Sequence, residues 1–173
     1  LTRVNTIMGV FKAYTTRVGS GPFPTELSDN YGKEMRKIGK EFGATTGRPR
    51  RCGWFDAVLG KYSSLINGYS SVALTRLDVL DDMQTLKVCT GYSLNGSTLS
   101  YPPSNHAALS QCEPIYEELA GWCSSTRAAR KFHDLPKEAQ QYVERIQELI
   151  DCSIDLISVG PRRDESIFLK PLP

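Results

Sequence analysis

Residues 54–78 read WFDAVLGKYSSLINGYSSVALTRLD, and the change of period inside them decides the fold class. Phe55, Val58, Leu59, Tyr62, Leu65 and Ile66 recur at three and four residues, the spacing of one helix face. Asn67 and Gly68 predict where that helix stops. The run Val72-Ala73-Leu74 then sits between polar residues, which reads as a buried strand with a loop at its carboxyl end. A helix feeding a buried strand is the repeating unit of an α/β sheet.

Working outward, the same alternation continues. Met8, Val10 and Phe11 alternate poorly and suggest a short helix. Tyr14 to Val18 reads as a strand closed by Gly19, Gly21, Pro22 and Pro24. Tyr31, Met35 and Ile38 predict a helix over 29–38 with Gly39 as its terminator, and EFGATTGRPRRCGW, residues 41–54, is loop chemistry. TLKVCTGYSL (85–94) and EPIYEEL (113–119) read as strands, the second at an edge because of Pro114. Pro102 and Pro103 place the segment between them on the surface. From Leu135 to Ile150, Ala139, Tyr142, Val143, Ile146, Leu149 and Ile150 form one helical stripe, with Pro136 in the first turn. SIDLISVGPRR (153–163) is a strand running into a glycine-proline turn, and SIFLK (166–170) a last strand. The expectation is a mixed, mostly parallel sheet with flanking helices, without internal repeats.

Composition sets the boundaries. The 173 residues suit one domain, and 40% hydrophobic with 23% charged residues suits a packed core. The net charge of +2 gives no reason to expect a bulk nucleic-acid or membrane binder, so any important basic feature is local. Five cysteines, an odd number with no CxxC pair, and two distant histidines argue against structural zinc and a disulfide framework. Reduced thiols of a cytoplasmic protein are the expectation. No apolar run reaches the roughly 20 residues of a membrane helix. Leu1 at the start suggests a processed or excised piece.

Three loops could carry chemistry, since open α/β sheets bind ligands at the carboxyl ends of their strands. In ATTGRPRR (44–51), Arg48, Arg50 and Arg51 repel one another, a cost that an anionic partner removes. Guanidinium forks pair with carboxylate or phosphate, and Thr45 and Thr46 add hydroxyls. The alternative is a solvated basic turn or a donor of internal salt bridges. In TRLDVLD (75–81), Asp78 could accept from guanine N1–H and its exocyclic amine together, with Arg76 over the base face. The alternative is a helix cap by Asp78 or Asp81. In ISVGPRR (157–163), Ser158, Val159 and Gly160 could present N–H groups and a hydroxyl to a flat ligand, or simply end a strand. There is no GxxxxGK[ST] loop and no organised catalytic histidine, since His106 and His133 lie in polar stretches. These residues describe a binder of anion and base without its own acid–base machinery.

The strings TRVGSGPFPTEL, EFGATTGRPRRCGWFD, LTRLDVLD, EPIYEELAGW and ISVGPRR, in this order, resemble the adenylosuccinate synthetase family. The resemblance covers essentially the whole chain but only the C-terminal two-fifths or so of that enzyme, whose fold is P-loop-GTPase-like. It implies a magnesium-dependent homodimer that uses GTP to join IMP and L-aspartate into adenylosuccinate, giving GDP and phosphate. Ala44, Thr45, Thr46, Gly47, Arg48, Pro49 and Arg50 would close on L-aspartate. Val18 and Arg48 would meet IMP. Arg50, Arg76, Leu77, Asp78, Ser158, Val159 and Gly160 would hold GTP. The catalytic aspartate and histidine, the glycine loop and the Mg²⁺ ligands would lie upstream, so that this piece alone is inactive and has no catalytic residue or metal ligand of its own. One departure is Arg76, where the family usually has lysine. Two rivals stand beside this reading: a module whose Arg48, Arg50 and Arg51 grip nucleic-acid phosphate with steep salt dependence, and a purely structural domain.

Overall fold

The computed structural model describes residues 4–171. Its centre is a four-stranded sheet in the order β1 (Met8–Lys12), β5 (Ser71–Thr75), β9 (Ile154–Ser158), β10 (Ser166–Phe168). The first three strands are parallel and β10 runs against β9. A second sheet is built on the long β6 (Thr85–Leu94). It pairs in parallel with β4 (Phe55–Asp56) and antiparallel with β7 (Ser97–Leu99) and β8 (Glu113–Ala120). β2 (Thr15–Arg17) and β3 (Arg51–Gly53) form a short antiparallel ribbon. The helices are α1 (Asn30–Ile38), α2 (Ala57–Asn67), α3 (His106–Ser110) and α4 (Lys137–Ile150). The architecture is the expected mixed α/β one, and β8 lies at a sheet edge with Pro114 near its start.

The expected stripe of α4 is buried at Ala139, Tyr142, Val143, Ile146 and Ile150. Tyr142 donates to the Ala13 carbonyl at 2.7 Å, tying α4 to the end of β1. Pro136 is the cap of α4 rather than a residue of its first turn.

Three expectations are corrected. Residues 8–12 form an edge strand, not a helix; their alternation is masked by Gly9, where a side chain would collide with the Tyr69 ring. The helix expected from 54 begins instead at Ala57, capped by Asp56, because Phe55 and Asp56 pair with β6. The buried face also takes only the start of the expected apolar stripe, at Phe55 and Val58, and leaves its later members outside. Leu65 and Ile66 are 66% and 64% exposed, while Ala57, Val58, Gly60 and Ser64 are buried. Small residues let α4 approach closely: a Cβ on Gly60 would stand 2.9 Å from the Ile150 methyl.

Gly39 closes α1 for a reason other than a left-handed backbone. Its φ is −69°, and Lys40 takes the left-handed turn at φ 50°. Lys40 N–H bonds the Lys37 carbonyl and Glu41 N–H the Arg36 carbonyl, a Schellman closure. Glycine is needed at 39 because a Cβ would lie 2.5 Å from the Tyr14 hydroxyl.

Candidate functional site

β1, β5 and β9 are parallel neighbours, so their carboxyl ends lie side by side, with Lys12 opposite Thr75 and Leu74 opposite Ile157. The segments after them carry Val18, Arg76–Asp78 and Ser158–Gly160, three of the groups singled out in the sequence. The fourth, residues 44–50, joins them from the side.

That arginine loop is the tip of a tight hairpin. Phe42 bridges Pro49; Gly43 N–H bonds the Arg48 carbonyl and Arg50 N–H the Glu41 carbonyl. Gly47, at φ 64°, allows its N–H to return to the Gly43 carbonyl at 2.9 Å. Ala44, Thr45, Thr46, Gly47, Arg48 and Pro49 are exposed, and Arg50 is half-buried. Thr46, Arg48, Pro49 and Arg50 line a cleft of about 700 Å³ together with Val18, which is 74% exposed on the opposite wall.

The three arginines have different fates. Arg51 is consumed inside the fold: it makes a two-pronged pair with Glu26 and donates to the Gly19 and Gly21 carbonyls. That pair holds the Glu26 carboxyl below its ordinary range. Arg50 donates one nitrogen to Glu41 at 2.9 Å. The Arg48 guanidinium has no hydrogen bond or ion pair among the described residues. The run is therefore not one basic patch, and the nucleic-acid rival loses a third of its cations.

After β5 the chain turns through Arg76, which is left-handed at φ 65°, into a single 3-10 turn over Leu77–Leu80. A non-glycine residue held there is strain that the surroundings must enforce. The Arg76 guanidinium donates to the Gly39 carbonyl at 2.5 Å and so ties this turn to the end of α1. Leu77 is wholly buried in the core, leaving only its main chain to face a ligand. Asp78 is neither a helix cap nor satisfied. Its Oδ2 meets Arg127 at 3.3 Å, while Oδ1 is buried with no partner among the described residues. Asp81, three residues on, accepts from Trp122 Nε1 at 2.9 Å, Thr126 N–H at 2.9 Å and Thr126 Oγ1 at 2.8 Å. Burial pushes the Asp81 carboxyl above its ordinary value, and these bonds draw it only part of the way back.

At the end of β9 the Val159 N–H is taken by the Glu165 carbonyl and its side chain is buried, so it is not the open donor the sequence suggests. Ser158 Oγ donates to the Gly160 carbonyl at 2.8 Å. Gly160 is packed against the Glu165 carboxylate, leaving no room for a Cβ.

Glu41, Tyr14, Lys12 and Arg127 stand at the site although the sequence does not single them out. Glu41 carries the one faint signal, a lone acid between two glycines just before an arginine run. Its partners come from as far as 29 residues away. Among the described residues no group of three or more His, Cys, Asp or Glu side chains could hold a metal ion, and no helix is long and apolar enough to cross a membrane. All five cysteines are free thiols.

A sheet with a parallel core and loops gathered at the carboxyl ends of its parallel strands defines the class: a mixed α/β protein. The chain belongs to the adenylosuccinate synthetase family, whose model matches residues 1–167. It is 58% identical over 167 residues to the adenylosuccinate synthetase of Geotalea daltonii, covering 96% of this chain and 39% of that protein. With the Geobacter sulfurreducens enzyme the identity is 56% over 166 residues, covering 96% and 38%. The solved structure described as fully ligated adenylosuccinate synthetase from Plasmodium falciparum superposes with a TM-score of 0.93 at 37% identity. The match covers 96% of this chain and 40% of that one. The chain thus spans about two-fifths of the length of the relatives it matches.

Proposed function

We propose that this chain supplies the aspartate-, IMP- and guanine-binding loops of a GTP-dependent ligase that joins IMP and L-aspartate into adenylosuccinate. The reaction transfers the GTP γ-phosphoryl group to O6 of IMP. The aspartate amino group then displaces that phosphate, and GDP and phosphate leave. The observation that carries the reading is the buried, unpartnered Asp78 Oδ1. A buried carboxylate oxygen without a donor is costly, and guanine N1–H with its 2-amino group offers two donors to one carboxylate. Adenine presents an acceptor at N1 and would leave the charge unpaired.

In the rest of the site, the free Arg48 fork binds an aspartate carboxylate and reaches IMP across the cleft from Val18. Thr45 and Thr46 add hydroxyls, and Arg50 turns its remaining donors to GTP and aspartate. Arg76 lays its stem along the base while its head stays on Gly39. Ser158 to Gly160 wall the base from the β9 side, through main chain and hydroxyl. The Mg²⁺ of the family finds no ligand set among the described residues, and none of these roles runs through it. A cytoplasmic homodimer is part of the same proposal, and the 173-residue chain alone should form no adenylosuccinate.

The test is nucleotide preference in the full-length polypeptide that carries this sequence. GTP should support ligation at concentrations where ATP does not, and equal use of the two would overturn the assignment of Asp78.

A further inference from the structure

Glu41 is a carboxylate with 1% exposed side chain, at the root of the arginine hairpin, and it collects three side-chain donors. Lys12 Nζ at 2.7 Å and Tyr14 OH at 2.6 Å meet Oε1; Arg50 Nη1 meets Oε2 at 2.9 Å. Burial pushes such a carboxyl up, but the three donors outweigh it and hold Glu41 below its ordinary value. A buried carboxylate that needed only neutralisation would be served by one cation. This one takes two, from the end of β1 and from the hairpin, so the cluster keeps a net positive charge beside the cleft.

The main chain points the same way. The Schellman closure after α1 turns residue 41 inward, and Arg50 N–H bonds the Glu41 carbonyl at 2.9 Å. Arg36 Nε holds the Arg50 carbonyl at 2.7 Å. Arg50 is thus fixed at its backbone and by one edge of its guanidinium, and the planar fork cannot rotate freely. Its other nitrogens have no partner among the described residues.

We infer that Glu41 is a positioning residue, whose buried carboxylate aims the Arg50 guanidinium at the nucleotide and keeps Lys12 and Arg50 from repelling each other. The inference rests on the reading above that Arg50 contacts GTP and L-aspartate.

The experiment is steady-state kinetics in the full-length protein. Glu41→Gln should raise the KM for GTP about tenfold, the loss of a charge-assisted contact, while the KM for IMP stays within about twofold. Arg50→Ala should raise the GTP KM too, and adding Glu41→Gln to it should have little further effect, because one residue acts through the other. A Glu41→Gln protein with a lower melting midpoint but unchanged GTP saturation overturns the inference, and so do independent, multiplying effects of the two substitutions. If Arg50→Ala itself leaves GTP and aspartate saturation unchanged, the underlying site reading falls and the inference with it. Should Glu41→Gln not fold, Glu41→Asp keeps the charge and shortens the reach by one methylene. It should raise the GTP KM about threefold with IMP unaffected, and an unchanged GTP KM overturns the inference.

Discussion

Asp78 lies in the short 3-10 turn and Asp81 caps its end; both are buried, and the fold treats them in opposite ways. Asp81 is saturated by Trp122 and Thr126, whereas Asp78 keeps one oxygen with no donor and lends the other to a largely exposed arginine. The same division separates Arg51, wrapped by Glu26 and two carbonyls, from Arg48, which has no partner among the described residues. Identical side chains a few residues apart are thus sorted by whether the fold has already used their hydrogen-bonding capacity. Capacity left over in a buried or cleft-lining position is what a ligand can use.

The largest effect should come from the saturated carboxylate. Asp81→Ala orphans an indole N–H, an amide N–H and a hydroxyl in the interior and should cost about 3–5 kcal/mol of stability. Denaturant unfolding of the full-length protein measures it, and a loss under about 1 kcal/mol would erase the contrast with Asp78. Asp78→Asn should do the reverse, leaving stability within about 1 kcal/mol but weakening GTP use by about 2–4 kcal/mol. The new amide sets an NH₂ against a guanine donor, yet it can donate to the C2 oxygen of xanthine. Saturation kinetics should therefore move preference from GTP toward XTP; an unmoved preference makes Asp78 merely structural. Arg48→Ala removes the proposed charge-assisted carboxylate contact and should raise the L-aspartate requirement by about 1.5–3 kcal/mol, with unchanged unfolding. Aspartate titrations at saturating IMP and GTP read it, and intact saturation would place the aspartate loop elsewhere. The smallest effect belongs to Arg127→Gln. Its side chain is 59% exposed and its pair with Asp78 is long, so stability should shift by less than about 1 kcal/mol. A larger loss would mean that Asp78, like Asp81, is held by the fold.

Much of this is legible in the residues. The period change at 54–78 yields the α/β class, and the apolar run ending at Leu74 marks residues 75–78 as a loop at a strand's carboxyl end. That this loop is a neighbour of the one after β9 is a different matter. It follows only from the pairing of Leu74 with Ile157, which no local pattern contains.

Other features are hidden for physical reasons. The buried face of α2 is made of small residues such as Gly60 and Ser64, which a hydrophobic pattern passes over in favour of the exposed Leu65 and Ile66. Met8 to Lys12 looks unlike a strand because glycine occupies the position facing Tyr69. Within the site, the composition of residues 44–50 and 75–78 carries the chemistry, but the division of labour among Arg48, Arg50 and Arg51 is absent from it. That division depends on Glu26 and Glu41, whose distance in space no local pattern encodes.

The parallel pairing of β1, β5 and β9 has a kinetic consequence. These strands are far apart in sequence, from Met8 opposite Ser71 to Val72 opposite Ile154, and the Tyr142 bond to Ala13 closes a span of 129 residues. Long-range parallel pairings form only after large loops have been closed, so they are slow steps in folding. The loops at their carboxyl ends cannot take up their mutual positions in a half-assembled sheet. The proposed ligand binding should therefore report on completed folding, and a partly folded chain should present none of the candidate site rather than a weakened version of it.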